Sequence, residues 1–571
     1  MSDQPRPAPG EAPQPGGAQP PPGEPPPESS SRRSSLLVAA GIFLSRIAGL
    51  VRERAMGHFL GTGLAVEAFR AALRIPNLLQ NLLGEGVLSA SFIPVYARLL
   101  SEDREEEAGR VAGAVAGLLT VLSGALVVAG VVFARPLTML LAAGFTGEKL
   151  ELTVTLVRII TPGVGFLVLS AWCLGVLNSH RRFFLSYVAP VLWNGVMIAV
   201  LVGFGLRGVA GQPLAVALAW GALAGGAAQL AVQVPGVVRV LRGTLRPSVR
   251  TDLPGVRSVL RAFGPVVAGR GVVQLAAYVD LFLASFLATG AVAALTYAQV
   301  LYTLPISLFG MAVAAAELPD LSSASSADRG ATVRRLQSGL ARIAFFVVPT
   351  TVAYVVLGDL VVGLLYQSGR FGADDALQVA IVLAAYSVGL LATTSGRLLQ
   401  SALYGMHQPR LPALFSVVRV SLAAVLGLVL MAQLDQVAVT PAGVQVVGEL
   451  PATALAPEAL RGAGSNALRL GAAGLALGSG IAGWAEYALL RRALRRRVGS
   501  VRIGGGEGGR IVSAAAVAAV VGLVARPVVA GLPVALAALL ALPAVGAAYL
   551  AVAYGLRVSE ARALLGRLRR T

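Results

Sequence analysis

Apolar residues fill this chain in long blocks broken by short polar stretches, and the blocks recur from residue 35 to residue 556. A helix of about 20 apolar residues crosses a hydrocarbon core of about 30 Å. The pattern predicts transmembrane helices over 35–60, 64–100, 109–134, 150–178, 184–206, 211–238, 254–288, 290–318, 336–367, 374–405, 411–433, 465–490, 511–531 and 533–556. The expected fold class is an all-α polytopic membrane protein of about fourteen helices. No polar stretch is long enough for a soluble domain. The second span is longer than a bilayer needs, so it tilts, kinks or projects, and Pro76 is the expected kink. Residues 1–34 are rich in Pro, Gly and Gln, with runs at 20–22 and 25–27. They hold too few apolar side chains to offset the entropy of ordering, so a disordered tail is expected.

The polar breaks carry a second pattern. With the N-terminus placed in the cytoplasm, the inside breaks hold Arg104 and Arg110, Arg181 and Arg182, and a run from Arg239 to Arg261. Further along come Arg329, Arg334, Arg335 and Arg410, the cluster Arg491 to Arg510, and the tail arginines from Arg562 to Arg570. The outside breaks hold scattered cations such as Arg135, Lys149, Arg207, Arg370, Arg461 and Arg526. Cytoplasmic loops attract arginine and lysine, so this alternation predicts an even number of spans with both termini inside. The long outside connection, 434–464, has no role legible from its residues.

An internal repeat is also visible. Phe59-Leu-Gly-Thr-Gly63 resembles Phe286-Leu-Ala-Thr-Gly290 at an offset of 227 residues, and at that offset Glu53 falls on Asp280. A weaker echo pairs 178–182 with 405–409. The reading is two pseudo-symmetric six-helix lobes, 35–240 and 241–500, with two extra helices and a basic tail in 501–571. Parallel repeats of this kind place a substrate between lobes.

Composition narrows the function. Hydrophobic residues make up 56% of the chain and charged ones 13%, and the mean hydropathy is +0.74. The net charge of +19 would suggest nucleic acid in a soluble protein; here the membrane surface accounts for it. Cys173 is the one cysteine, and His58, His180 and His407 lie far apart, so no disulfide or metal-ligand spacing exists. No P-loop or hydrolase motif is present. The run 504–509 is a glycine-rich linker between arginine-rich flanks. No catalytic residue, metal or cofactor is expected.

Candidate chemistry concentrates in the first two spans. Glu67, Arg70, Arg74, Asn77, Asn81 and Glu85 are spaced 3, 4, 3, 4 and 4, within about 80° of one another on a helix. An arginine in mid-membrane costs about 2.5–3.5 kcal/mol on insertion scales, so the stripe should face a cavity or a polar partner. In the first span Arg46 and Glu53 share a face with Gly49 and Gly57, and Arg52 lies beside it. Arg54 and Arg98 are expected to snorkel to the interface. Arginine matches phosphate through its planar fork, so Arg46, Arg52 and Arg74 together imply an anionic headgroup, a diphosphate by preference. The alternative reading for some of these side chains is a buried Arg–Glu pair. Arg270 and Asp280 lie in the seventh span and Arg419 in the eleventh; Asp280 and Arg419 form either an ion site or a salt bridge.

These residues carry a resemblance. Ser45-Arg-Ile-Ala-Gly-Leu-Val-Arg52, Arg74-Ile-Pro-Asn77-Leu-Leu, Gly84-Glu-Gly86, Ser89-Ala-Ser-Phe-Ile-Pro94, Leu177-Asn-Ser-His180, Ala189-Pro-Val-Leu-Trp-Asn194 and Ala284-Ser-Phe-Leu-Ala-Thr-Gly290 resemble the MurJ/MviN lipid II flippase family. The likeness covers the chain after its tail. It implies the multidrug/oligosaccharidyl-lipid/polysaccharide flippase fold, the bacterial inner membrane and alternating access. It carries the family's cavity arginines to Arg46 and Arg52, its second-helix acid to Glu67, and its Glu-Gly pair to Glu85 and Gly86. Two positions depart from the pattern. Gln80 and Val300 stand where the family often has arginine, and Arg70 and Arg270 are the candidates to compensate. The family's seventh-span acid, linked to sodium in some members, matches Asp280, but Ala423 stands where its usual partner asparagine would be.

The functional expectation is a transporter, not an enzyme. It moves undecaprenyl-diphosphate-linked peptidoglycan precursor from the cytoplasmic to the outer leaflet, driven by membrane potential or an ion gradient. The alternatives are a flippase for another polyprenyl-linked glycan, or a non-transporting membrane scaffold for cell-wall synthesis. Expected partners are the lipid-linked glycan, the bilayer and cell-wall synthesis proteins, with no nucleic acid.

Overall fold

The computed structural model describes residues 28–568 apart from 312, 314–328, 407, 441–442, 447–454, 456–467 and 502–505. The first half of the chain forms α1 (Glu28–Leu60), α2 (Leu64–Leu83), α3 (Glu85–Ser101), α4 (Glu105–Val132), α5 (Ala134–Leu141), α6 (Gly147–Ile160), α7 (Gly163–Ser179), α8 (Phe183–Gly205) and α9 (Gly211–Leu241). The second half forms α10 (Pro254–Ser285), α11 (Ala291–Pro305) running into a π-helical turn (Ile306–Met311), α12 (Arg329–Val356), α13 (Gly358–Tyr366), α14 (Ala373–Ser387), α15 (Leu390–Gly405), α16 (Arg410–Asp435) and α17 (Gly471–Val498). Then follow α18 (Glu507–Val529), α19 (Val534–Gly555) and α20 (Ser559–Leu568).

Among the described residues, nine helical segments are long and apolar enough to cross a membrane, and two bent pairs raise the number to eleven. The helices α1, α10 and α17, of 33, 32 and 28 residues, also have the length to cross. These elements are compatible with fourteen spans. The first helix begins at Glu28, not at 35, so its arginine-bearing start extends the span toward the tail. α2 continues through Pro76 and ends at Gly84, whose N–H caps it by bonding the Gln80 carbonyl at 2.6 Å. Glu85 therefore opens α3 instead of ending the α2 stripe.

The 227-residue repeat recurs in the architecture. In each half a long helix is followed by a short one (α4 then α5; α12 then α13) and a bent pair. The pair α6–α7 bends by 41° and α14–α15 by 46°. Corresponding helix starts are 147 and 373, 163 and 390, and 183 and 410, at offsets of 226, 227 and 227. The first bend sits at Thr161–Pro162, where proline supplies no amide hydrogen to the helix ladder. The second sits at Val388–Gly389. Most helices pack on neighbours of their own half, but α10 packs chiefly on α3 and α2 of the first half, and α18 and α19 pack as a pair against α12 and α13. Tyr549 of α19 ties that pair down by donating to the Phe345 carbonyl at 2.8 Å, and Val520, Leu523, Val524 and Val528 of α18 stay exposed on its outer side.

The halves differ where α16 meets α17. There the all-helical expectation gains a small antiparallel sheet of β1 (Val437–Thr440), β2 (Gly443–Val446) and β3 (Leu468–Arg469) in the order β2-β1-β3, with Val437 opposite Val446 and Ala438 opposite Arg469. The rest of the 434–464 connection lies largely outside the described residues, as does His407 of the weaker repeat echo.

Candidate functional site

Six helices of the first half, α1, α2, α3, α7, α8 and α9, enclose a cavity of about 770 Å³. Its wall is dominated by uncharged polar side chains. Asn77, Gln80 and Asn81 come from α2, Ser89 from α3, Ser170 from α7, Ser186 and Asn194 from α8, and Gln229 and Gln233 from α9. Arg52 of α1 is the cation of that wall among the described residues. Gly49 and Gly86 also line it, and such small residues leave the space open.

The polar groups are arranged, not scattered. Gln229 Nε2 donates to Ser170 Oγ at 2.9 Å, and Ser170 Oγ donates to Gln233 Oε1 at 2.7 Å. Asn194 Nδ2 donates to the Pro190 carbonyl at 3.0 Å, which turns its Oδ1 toward Arg52 Nη1, also at 3.0 Å. The guanidinium lies 5.2 Å from the centroid of Trp193, and the indole N–H is anchored on the Ala222 carbonyl at 3.0 Å. Two buried groups at this wall, the Ser186 hydroxyl and Arg52 Nε, have no hydrogen-bond partner among the described residues. Buried polar atoms rarely stay unpaired without a purpose.

Behind the wall sits an ion-pair cluster. Glu53 accepts from Arg52 Nη2 at 2.6 Å with one carboxylate oxygen and from Arg70 Nη2 at 2.8 Å with the other. Glu53 and Arg70 are each 6% exposed. The Arg70 guanidinium lies 4.0 Å from the ring centroid of Tyr297 on α11, in the other half. One carboxylate between two guanidiniums leaves a single positive charge, and Arg52 carries it to the cavity surface.

The candidates from the stripe thus separate. Arg52 and Asn77 line the cavity, whereas Glu53 and Arg70 support it from behind. Arg46 is exposed and stands outside the lining. Arg74 lines a separate small pocket between the halves with Asp280, Gln299 and Tyr386, and its carbonyl accepts from Tyr278 Oη at 2.8 Å. The side chains of Glu85 and Arg270 lie outside the described residues. Arg419 pairs with Glu486 at 3.1 Å, so of the two readings of Arg419 and Asp280 the salt bridge is made instead with a carboxylate of α17.

Glu67 has a different place. It is fully buried, and its Oε1 accepts from the backbone N–H groups of Gly290, Val292 and Ala293 at 2.9, 2.7 and 3.2 Å. These are the free amides at the start of α11, where the helix dipole favours an anion. Its other oxygen pairs with Lys149. Around it the two halves meet repeatedly. Arg370 N–H donates to the His58 carbonyl at 2.9 Å, Tyr297 Oη to the Gly61 carbonyl at 3.2 Å, and Thr62 to Asp375. Arg54, expected to snorkel, instead donates to the Leu364 and Leu365 carbonyls at 2.9 and 3.0 Å, satisfying the open end of α13. All these contacts lie at the end of the bundle that holds the 61–63 and 286–290 turns, away from the arginine-rich loops.

Ser170, Ser186, Asn194, Gln229, Gln233 and Lys149 have no site role assigned from the sequence. The pair Gln229 and Gln233, one turn apart in an apolar helix, was the readable signal for the α9 wall.

The model of a family described as "Lipid II flippase MurJ" matches residues 56–447. A "Probable lipid II flippase MurJ" of Bdellovibrio bacteriovorus is 31% identical over 414 residues, covering 70% of this chain and 77% of that protein. A "Lipid II flippase MurJ" of Burkholderia cenocepacia is 32% identical over 389 residues, covering 66% and 74%. Among solved structures, "Lipid II flippase MurJ, inward closed conformation" superposes with a TM-score of 0.69 at 20% identity, covering 90% of this chain and 98% of that one. An inward-facing MATE family multidrug resistance transporter of the MOP superfamily gives 0.57 at 19% identity, covering 80% and 94%. At these identities the structural likenesses establish the fold.

Proposed function

The chain belongs to the MurJ family of lipid II flippases, and from that premise we propose that the cavity behind Arg52 holds the headgroup of lipid II during its transfer across the bacterial inner membrane by alternating access. The observation that carries this reading is the cavity wall, in which amides and hydroxyls surround one arginine. Sugars and peptides present hydroxyl, carbonyl and N–H groups, which such side chains match in kind. A diphosphate needs charged donors. Arg52 Nε is free to give one, and a phosphate would compete with Glu53 and Asn194 for the rest of the fork.

The seal at Glu67 supplies the second requirement of alternating access. It joins the halves about 15 Å along α2 from Asn77, ten residues at 1.5 Å each, so the cavity lies on the arginine-rich side of the seal. With that side cytoplasmic and both termini inside, the headgroup enters from the cytoplasm and leaves when the Glu67 contacts part. The lipid tail remains in the bilayer. Membrane potential or an ion gradient drives the cycle, and cell-wall synthesis proteins supply and receive the lipid. No catalytic step is required.

The test is rescue of a bacterium depleted of its own lipid II flippase. The chain should restore growth, and Arg52→Ala should abolish rescue while inserting normally. Normal rescue by Arg52→Ala would sink the assignment of the cavity. A second reading, transport of another polyprenyl-diphosphate glycan, is favoured by Gln80 in the cavity wall and Val300 on α11 where the family often has arginine. It predicts insertion without rescue, and competition by that glycan for binding.

A further inference from the structure

A second concavity, of about 720 Å³, lies at the arginine-rich end of α17, in the half that does not hold the cavity. Trp484, Tyr487, Arg491, Arg492, Arg495 and Arg496 line it, at spacings of 3, 4, 1, 3 and 1. These spacings place them on one helical face, extending about 18 Å along the axis at 1.5 Å per residue. The opposite rim is Ser500 and Val501. The chain comes back there because Gly499 turns at φ 109°, a conformation open to glycine and strained for other residues.

The groove is graded along its length. Its inner part is aromatic. Trp484 donates its indole N–H to the Val388 carbonyl at 2.8 Å and meets Tyr487 edge-on at 5.8 Å, so the ring is held in place while 41% of the residue stays exposed. Its outer part is cationic. Arg491, Arg492, Arg495 and Arg496 have no ion-pair or hydrogen-bond partner among the described residues. No described carboxylate lines the groove. Glu486, on the same helix, is taken up on another face by Gln400, Ser416 and Arg419.

We propose that this groove is a binding site for the phosphate-bearing headgroup of an anionic phospholipid. Four unpaired guanidiniums at the end of a membrane helix present forked donors to phosphate where the headgroup layer lies. The fixed aromatic pair lies inward of them, at the depth of the glycerol and upper acyl chain. A free anion would leave the aromatic half of the groove uncovered, and an acidic polypeptide would have to enter the bilayer interface to reach it. The site is independent of the lipid II cavity.

Native mass spectrometry of the full-length protein, released from detergent with equal amounts of phosphatidylglycerol and phosphatidylcholine, tests the proposal. The expected result is preferential phosphatidylglycerol adducts that survive excess inorganic phosphate. Arg491→Gln/Arg495→Gln should weaken phosphatidylglycerol binding about thirtyfold, at about a tenfold loss per 1.4 kcal/mol and about 1 kcal/mol per arginine. The control pair Arg257→Gln/Arg261→Gln removes the same charge from exposed positions at the same end and should leave binding unchanged. Equal binding of both lipids, displacement by inorganic phosphate, or equal losses in both double variants would overturn the lipid site. Displacement of the lipid by an acidic polypeptide such as polyglutamate would assign the groove to a protein partner instead.

Discussion

Glu53 is the residue on which the charged centre turns. Its carboxylate neutralises one of two guanidiniums, and nothing else described beside them carries negative charge. Breaking a buried pair by removing one partner costs about 3–5 kcal/mol, because the remaining charge stays buried. Glu53→Gln should therefore lower the thermal stability of the purified protein sharply. If Glu53 and Arg70 act as a pair, Glu53→Gln/Arg70→Gln should be less unstable than the sum of the single changes; strict additivity would refute the coupling. His180, beyond the end of α7, offers a pH test. Its Nε2 lies 2.9 Å from Tyr96 Oη, and burial lowers its pKa below the ordinary 6.5, with Glu105 opposing and Arg182 adding to the shift. A histidine held neutral in the fold binds fewer protons there than when unfolded, so stability rises with pH. Its contribution is complete above about pH 6.5 and declines as pH falls toward the lower folded value. Melting curves between pH 7.5 and 5.5 should show that decline in the parent and a smaller one in His180→Gln.

Among elements, the α16–α17 crossing shows how this membrane protein packs. Lipid tails are as apolar as leucine, so helices associate through close van der Waals contact. At Gly478 an added Cβ would stand 2.6 Å from Gly427 N, and at Gly474 it would stand 2.4 Å from the Leu430 carbonyl oxygen. The backbones touch because these side chains are absent. Gly478→Val should force the helices apart at about 1–3 kcal/mol and lower the melting temperature. Because α17 also carries Glu486 against Arg419 and the arginine groove, the same change should weaken phosphatidylglycerol binding. An unchanged melting temperature would mean that the crossing tolerates separation.

Across the whole molecule, the distribution of contacts between halves matters more than any single one. Glu67, Arg54, His58, Gly61 and Thr62 join the halves at one end, beyond the cavity. A ligand or mutation shifts a two-state protein only by acting differently on the two states. Removing Glu67 acts on the closed state, leaving three amides and Lys149 without their anion. Glu67→Ala should therefore expose the interface beneath it. In a Cys173→Ala background, Ala68→Cys, fully buried in the parent, should react about tenfold or more faster with a membrane-impermeant thiol reagent when Glu67→Ala is added. Equal rates would mean that the seal rests on the other contacts.

Much of this was legible in the residues, because membrane insertion is decided locally. Each span states itself in about twenty apolar positions, and arginine in the loops marks one end of the bundle. The repeat is written in Phe59–Gly63 and Phe286–Gly290. Arg52, Glu53 and Arg70 could be singled out because charge in an apolar run is costly wherever the helix lies. What each charge faces was not legible. Arg52 meets Asn194 across 142 residues, and Glu67 meets Gly290 across 223; no local period encodes those meetings. A helical stripe says which side chains share a face, but only packing against other helices decides what that face meets. Hence Arg46 falls outside the cavity, Arg74 goes to a separate pocket, and Glu67 closes the far end. The amide wall of α7, α8 and α9 exists only because three mainly apolar helices bring single polar residues to the same place.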